Sequence, residues 1–169
     1  MVARPLAVPL LAAALLAAPG KAAEPERPEV RAGDVFSVDG RRVLPAPGGT
    51  VTELLFVARW CGPCAGELER ARHRAATLRR RGFRLVPVGV AARESAGDFA
   101  AWAREHGAGG PLVYDRDGRL ERIFEVDALP YHVIVDARGR VLYRGASPPD
   151  ADRLSGWLTG GQGPASRHR

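Results

Sequence analysis

Blocks of apolar residues with two different periods succeed one another along this chain. Val51 to Ala58 is apolar except at Thr52 and Glu53. A continuous apolar run of that length fits a central strand covered on both faces. The period then changes. Gly62 to Arg81 reads as a helix, with Leu68, Arg72, Ala75, Ala76 and Leu78 at roughly helical spacing and Gly82 as its stop. Phe83 to Ala91 is a second apolar strand. Ser95 is placed to cap a helix over Ala96 to His106, with Phe99 and Trp102 on one face and Gly107 after it. Leu112-Val113-Tyr114 is a short extended piece before a turn at Asp115 to Gly118, and Leu120 to Phe124 follows as a short helix. Val133-Ile134-Val135 and Val141-Leu142-Tyr143 are strands joined by a turn at Asp136 to Gly139. Asp150 to Leu158 reads as a last helix.

Ahead of the first long strand, Val35-Phe36-Ser37-Val38 with Asp39-Gly40 predicts a short strand and a hairpin turn, and Pro45 to Gly49 predicts a loop. The order β-β-α-β-α-(β/α)-β-β-α gives an α/β fold, a central mixed sheet flanked by helices. No internal repeat is visible. The chain divides into a signal segment at 1–22, a Pro-containing linker at 23–32, one domain at 33–158, and a polar, Gly-containing tail at 159–169 expected to be disordered.

The signal reading rests on Arg4, the apolar stretch Leu6 to Ala18, and small residues at Gly20 and Ala22 that place cleavage after Ala22. The apolar stretch is short for a membrane span, which needs about 20 residues. An uncleaved N-terminal anchor is the alternative. Either way the expectation is an exported, periplasmic protein. The chain is basic, with a formal net charge of +6, and much of that charge sits in Arg70, Arg72, Arg74, Arg79, Arg80 and Arg81. No aromatic residues interleave that run to stack bases, which argues against nucleic acid as a partner. A solvated helix face accounts for it, with a membrane-proximal or partner-docking face as the other reading.

Cysteine use changes the picture most. The chain has two, Cys61 and Cys64, in the run Trp60-Cys61-Gly62-Pro63-Cys64 where a strand gives way to a helix. A bridge between them closes a very small loop. It removes little entropy from the unfolded chain, so it suits making and breaking better than stapling. Cys61 lies at the helix start, where free backbone N–H groups and the positive end of the helix dipole stabilise a thiolate. Cys64 lies one turn further in, on the same face. Cys61 is therefore the expected attacking sulfur and Cys64 the buried, resolving one. A structural bridge is the other reading. A zinc site needs two more soft ligands, and His73, His106, His132 and His168 are scattered. No metal and no cofactor are expected.

Trp60-Cys61-Gly62-Pro63-Cys64 resembles the thioredoxin active site. The later run Phe124-x-Val126-x-x-Leu129-Pro130-x-x-Val133-Ile134-Val135-Asp136-x-x-Gly139-x-Val141 resembles the second half of the exported thioredoxins of the TlpA/ResA type. Val86-Pro87-Val88-Gly89-Val90 with the segment 93–118 behind it resembles that type's insertion between strand and helix. The resemblance covers about residues 33 to 158. It implies a thioredoxin fold and a membrane-side reductant of protein disulfides, fed by an upstream membrane electron donor. Several members of the type serve cytochrome c maturation.

The resemblance also implies site roles. Pro130 takes the place of the family's cis-proline opposite the dithiol, where Leu129 offers backbone groups to a substrate strand. Trp60, Gly62, Pro63 and Tyr131 join Leu129 and Pro130 as the expected substrate-binding set. Glu67, three residues after Cys64, takes the place of the type's active-site glutamate. A partly buried carboxyl there shuttles a proton for Cys64; a surface carboxylate pairing with Arg70 or Arg74 is the competing reading. The buried aspartate of thioredoxins is replaced by Leu55. Glu53 points to the same face but is expected to lie too far from the sulfurs.

Three departures from the pattern stand out: Glu69 replaces a helix-kinking proline, Val57 replaces a common aromatic residue, and Tyr131-His132 replaces small hydroxyl residues. Tyr131 is expected to border the dithiol. His132 is expected to turn to solvent, with local positive charge as the alternative. Two rivals to the reductant remain at this point: a disulfide oxidase or isomerase, and a non-catalytic module that uses the same groove for binding. A peroxidase is disfavoured, since no lone peroxide-reactive cysteine sits in a Thr-containing strand–helix loop.

Overall fold

A computed structural model describes residues 35–44, 46 and 50–160. The segments read as an export signal at 1–22 and a linker at 23–32, most of the Pro45 to Gly49 loop and the last nine residues lie outside the described residues. The described elements run in the order β1 (Val35–Phe36), β2 (Arg42–Leu44), β3 (Val51–Val57), α1 (Cys64–Leu78), a 3₁₀ turn (Arg79–Arg81), β4 (Phe83–Val90), α2 (Ala96–Glu105), β5 (Val113–Asp115), α3 (Arg119–Phe124), β6 (Tyr131–Val135), β7 (Val141–Gly145) and α4 (Ala151–Leu158).

The apolar run at 51–58 becomes the middle of a five-stranded sheet of order β5-β4-β3-β6-β7. All seven residues of β3 are buried. β3 runs parallel to β4 and antiparallel to β6, so the sheet is mixed. Alternation along β3 sends Val51, Glu53, Leu55 and Val57 to one face and Thr52, Leu54 and Phe56 to the other. On the first face Val51 packs with Leu154 and Trp157 of α4 and with Ala75 and Leu78 of α1. On the second, Phe56 meets the edge of Phe124 from α3, ring centroids 6.1 Å apart.

Local chemistry explains most boundaries. Gly82 holds φ +83° and its N–H closes on the carbonyl of Arg79, which ends the helical segment. Ser95 and Asp98 form a reciprocal capping box at the start of α2. Gly89 lets α2 lie against β4: a Cβ there would fall 2.4 Å from the Phe99 ring.

The structure departs from expectation at two places in this frame. The first strand is only Val35–Phe36, because the Ser37 hydroxyl bonds Asp39 and the backbone of Arg41 and so bends the chain early. Its partner β2 is a strand the pattern did not reveal: three residues, the first an exposed arginine, carry no legible period. In the long helix α1 begins at Cys64, two residues later than expected. The buried residues are Cys64, Glu67, Leu68 and Ala71. Arg72 is tied to the carbonyl of His106 and Arg74 to Glu53, so the basic run is not a uniformly solvated face. Among the described residues no helix is long and apolar enough to cross a membrane.

Candidate active site

Cys61 and Cys64 are joined by a disulfide at the end of β3 and the start of α1. Cys64 is fully buried, whereas Cys61 is 9% exposed. Pro63 occupies the N-cap position and supplies no side-chain cap, so the first-turn N–H groups of α1 stay free of side-chain partners beside the sulfurs. The Leu129–Pro130 bond is cis. Leu129 lines a hollow of about 420 Å³ together with Trp60, Cys61 and Pro63. The fold thus brings Trp60, Cys61, Pro63 and Leu129 together, from segments some 70 residues apart.

Trp60 is held by its neighbours while the residue stays 43% exposed. Its indole N–H donates to the carbonyl of Ala92, and the Arg93 guanidinium lies 5.5 Å from the ring centroid. Arg93 adopts φ +64° to make that approach. Glu94 completes the clamp by accepting the backbone N–H of Arg59 at 3.1 Å. Burial raises the Glu94 carboxyl above its ordinary value. Gly62 is exposed, and a Cβ on it would meet nothing within 4 Å.

Tyr131 does not border the hollow over Cys61. It lines an adjoining one of about 470 Å³, together with Arg144 and Glu125. The two hollows share Glu121, Val126 and Asp127, so they form one groove with an acidic wall. Burial, then Asp127, raises the Tyr131 hydroxyl above its usual value. These groove carboxylates escaped the sequence reading, because nothing in their spacing marks them.

Glu121 gives a testable pH dependence. Burial and the neighbouring Asp115 raise its carboxyl above the ordinary value. The folded state then holds more protons than the unfolded state as pH climbs past the ordinary carboxylate range. Stability therefore falls through that window and stays lower at neutral pH. Glu121→Gln is expected to stabilise the protein slightly at pH 7 and leave it unchanged near pH 3. Urea denaturation at the two pH values checks this; equal effects at both would remove the electrostatic cause.

Beneath α1 lies a buried ionic cluster. Arg74 donates to both oxygens of Glu53, Nη2 to Oε1 at 2.6 Å and Nε to Oε2 at 3.4 Å. His132 Nδ1 lies 2.7 Å from Glu53 Oε1. Arg70 holds Oε2 of Glu67 through Nε at 2.9 Å and through Nη2 at 2.7 Å. The expectation that His132 turns to solvent is corrected here: its side chain is 0% exposed. It sits opposite Leu55 in the β3–β6 ladder, between two strands and under α1, and Glu53 supplies the partner that lets it be buried. Glu67 is not a surface carboxylate: it is buried, and it is paired with Arg70.

Comparison with known proteins agrees with this geometry. The chain is 36% identical over 94 residues to the thiol:disulfide interchange protein DsbE homolog of Paracoccus denitrificans, a match covering 55% of this chain and 49% of that protein. It is 25% identical over 107 residues to the thiol-disulfide oxidoreductase ResA of Oceanobacillus iheyensis, covering 62% of this chain and 54% of that one. The chain thus spans about half the length of these curated relatives. A candidate DsbE thiol:disulfide interchange protein of Chlorobium tepidum superposes with a TM-score of 0.63 at 25% identity, over 82% of this chain and 96% of that one. Residues 42–144 match the AhpC/TSA family, and the chain belongs to that family, as a thioredoxin-fold relative of the DsbE and ResA oxidoreductases.

Proposed function

We propose that the protein is an exported dithiol reductant of protein disulfides. The carrying observation is the bridged pair Cys61–Cys64 at an uncapped helix start, with Cys61 and Leu129 lining one open hollow. In the reduced protein the Cys61 thiolate attacks one sulfur of a substrate disulfide. A Cys61–substrate bond forms, the substrate's own S–S bond breaks, and the departing sulfur leaves as a thiolate. The Cys64 thiol gives up its proton, and the thiolate attacks the Cys61 sulfur. The mixed bond breaks, Cys61–Cys64 forms, and the second substrate sulfur leaves. Two electrons pass from the dithiol to the substrate, and an upstream membrane donor returns them. Trp60, Pro63, Leu129 and Pro130 shape the docking site, Gly62 leaves the approach to Cys61 open, and Tyr131 extends the groove.

Export rests on the apolar stretch Leu6 to Ala18. The Gly-Pro dipeptide between the cysteines favours reductant over oxidase. The resemblance to the TlpA/ResA type makes cytochrome c maturation the fitting pathway. Equilibration with glutathione buffers tests the direction. A potential near about −270 mV, as in thioredoxin, is expected; one near about −120 mV, as in DsbA, would make the protein an oxidant.

Glu67 is the proposed acceptor of the Cys64 proton. It follows Cys64 by three residues on the same buried helix face. Glu67→Gln is expected to slow resolution by about 10²-fold or more. It should also reshape the rate between pH 5 and 9, which stopped-flow reduction of a model disulfide measures. An unchanged profile would leave water as the proton carrier.

A further inference from the structure

Resting on that relay, we propose that His132 is a positioning residue which, with Glu67, holds the single proton released by Cys64. Among the described residues, two buried atoms of the cluster find no hydrogen-bond partner, His132 Nε2 and Glu67 Oε1. They face each other at 3.6 Å. Such orphans are costly, and buried polar groups are ordinarily satisfied.

The surrounding bonds fix which proton is missing. Glu53 receives two N–H groups from Arg74, so it is a carboxylate and can only accept from His132 Nδ1. The proton of a neutral imidazole therefore sits on Nδ1, and Nε2 presents a bare lone pair. Glu67 Oε2 is likewise taken by Arg70, leaving Oε1 without a hydrogen bond, its nearest cation being Arg74 Nη2 at 3.8 Å. Two acceptors then confront each other. One added proton satisfies both at once, in either direction: Glu67 Oε1–H donating to Nε2, or Nε2–H donating to Oε1.

The charged groups facing His132 are Glu53 from β3 and, from α1, Glu67 and Arg74, with Arg70 acting through Glu67. On the β7 side His132 pairs with Gly145, which adds no charge. Two carboxylates and two guanidiniums balance, so the site is electrically neutral with a neutral imidazole. It becomes singly positive only while it holds the transferred proton. In the exchange, Cys64 S–H breaks, its proton goes to Glu67 Oε1, and Nε2 shares it until Glu67, 8% exposed at its side chain, passes it to solvent. Glu53 keeps the imidazole in the tautomer that makes this possible.

His132→Asn tests this, because the Asn amide preserves the Nδ1-like N–H to Glu53 and removes Nε2. Resolution in single-turnover stopped flow is expected to slow about tenfold, less than for loss of Glu67 itself, and its pH profile to change shape. A purely structural role would lower the denaturation midpoint and leave the profile's shape intact, which would overturn the proposal. Nitrogen NMR of the imidazole at pH 7 supplies a readout without turnover. The proton is expected on Nδ1, and the Nε2 shift is expected to move in Glu67→Gln but not in Glu69→Gln. A proton on Nε2 alone, or an unmoved shift, would overturn it. If Glu67→Gln leaves the exchange unaltered, the relay reading fails; if Glu67→Gln slows it and His132→Asn does not, only the role of His132 fails.

Discussion

Cys61→Ser and Cys64→Ser are each expected to abolish multiple-turnover reduction of a protein disulfide such as insulin, down to the uncatalysed background. The exchange needs both sulfurs in sequence, one to attack and one to resolve, and the two cysteines of this chain are the bridged pair. No other thiol can substitute. Serine preserves volume at both positions, so the loss separates chemistry from packing. Retention of turnover in Cys61→Ser would instead favour a module that binds through the groove and does not catalyse.

The second large effect is on stability. Glu53→Ala is expected to destabilise the protein by about 3–5 kcal/mol, the usual cost of removing one partner from a buried ion pair. Glu53 is completely buried and is the main anchor of Arg74, whose side chain is only 19% exposed. Its loss also strands His132 Nδ1. Glu53→Gln keeps an acceptor for one of these donors and is expected to cost less, about 1.5–3 kcal/mol, the range for a hydrogen bond to a charged group. Urea denaturation of the oxidised proteins measures both. A cost below about 1 kcal/mol for the alanine variant would mean that Arg74 swings out to water and that the cluster is not held together by Glu53.

What the sequence made legible was what local rules govern. The run Val51–Val57 had to be central because nothing in it suits water except Thr52 and Glu53. Ser95 announced the start of α2 because a capping box is contained in four residues. The dithiol and Pro130 were legible because each is carried by a compact motif. What stayed hidden depends on residues distant in the chain. His132 read as a solvent-facing strand residue because its partner Glu53 lies 79 positions away. Tyr131 read as a border of the dithiol because it follows Pro130, yet strand alternation and the register with Phe56 place it in the next hollow. The acids of the groove wall come from α3 and the turn after it, and only the folded chain sets them beside Cys61.

The division of labour between the two sulfurs is tested most directly by giving each variant the same protein disulfide at pH 7 and following the mixed disulfide. Cys64→Ser, which retains Cys61, is expected to form it rapidly and to hold it, because nothing resolves it. Cys61→Ser, which retains only the fully buried Cys64, is expected to form almost none over the same time. Equal rates in the two variants, or faster capture by Cys61→Ser, would contradict Cys61 as the attacking thiol.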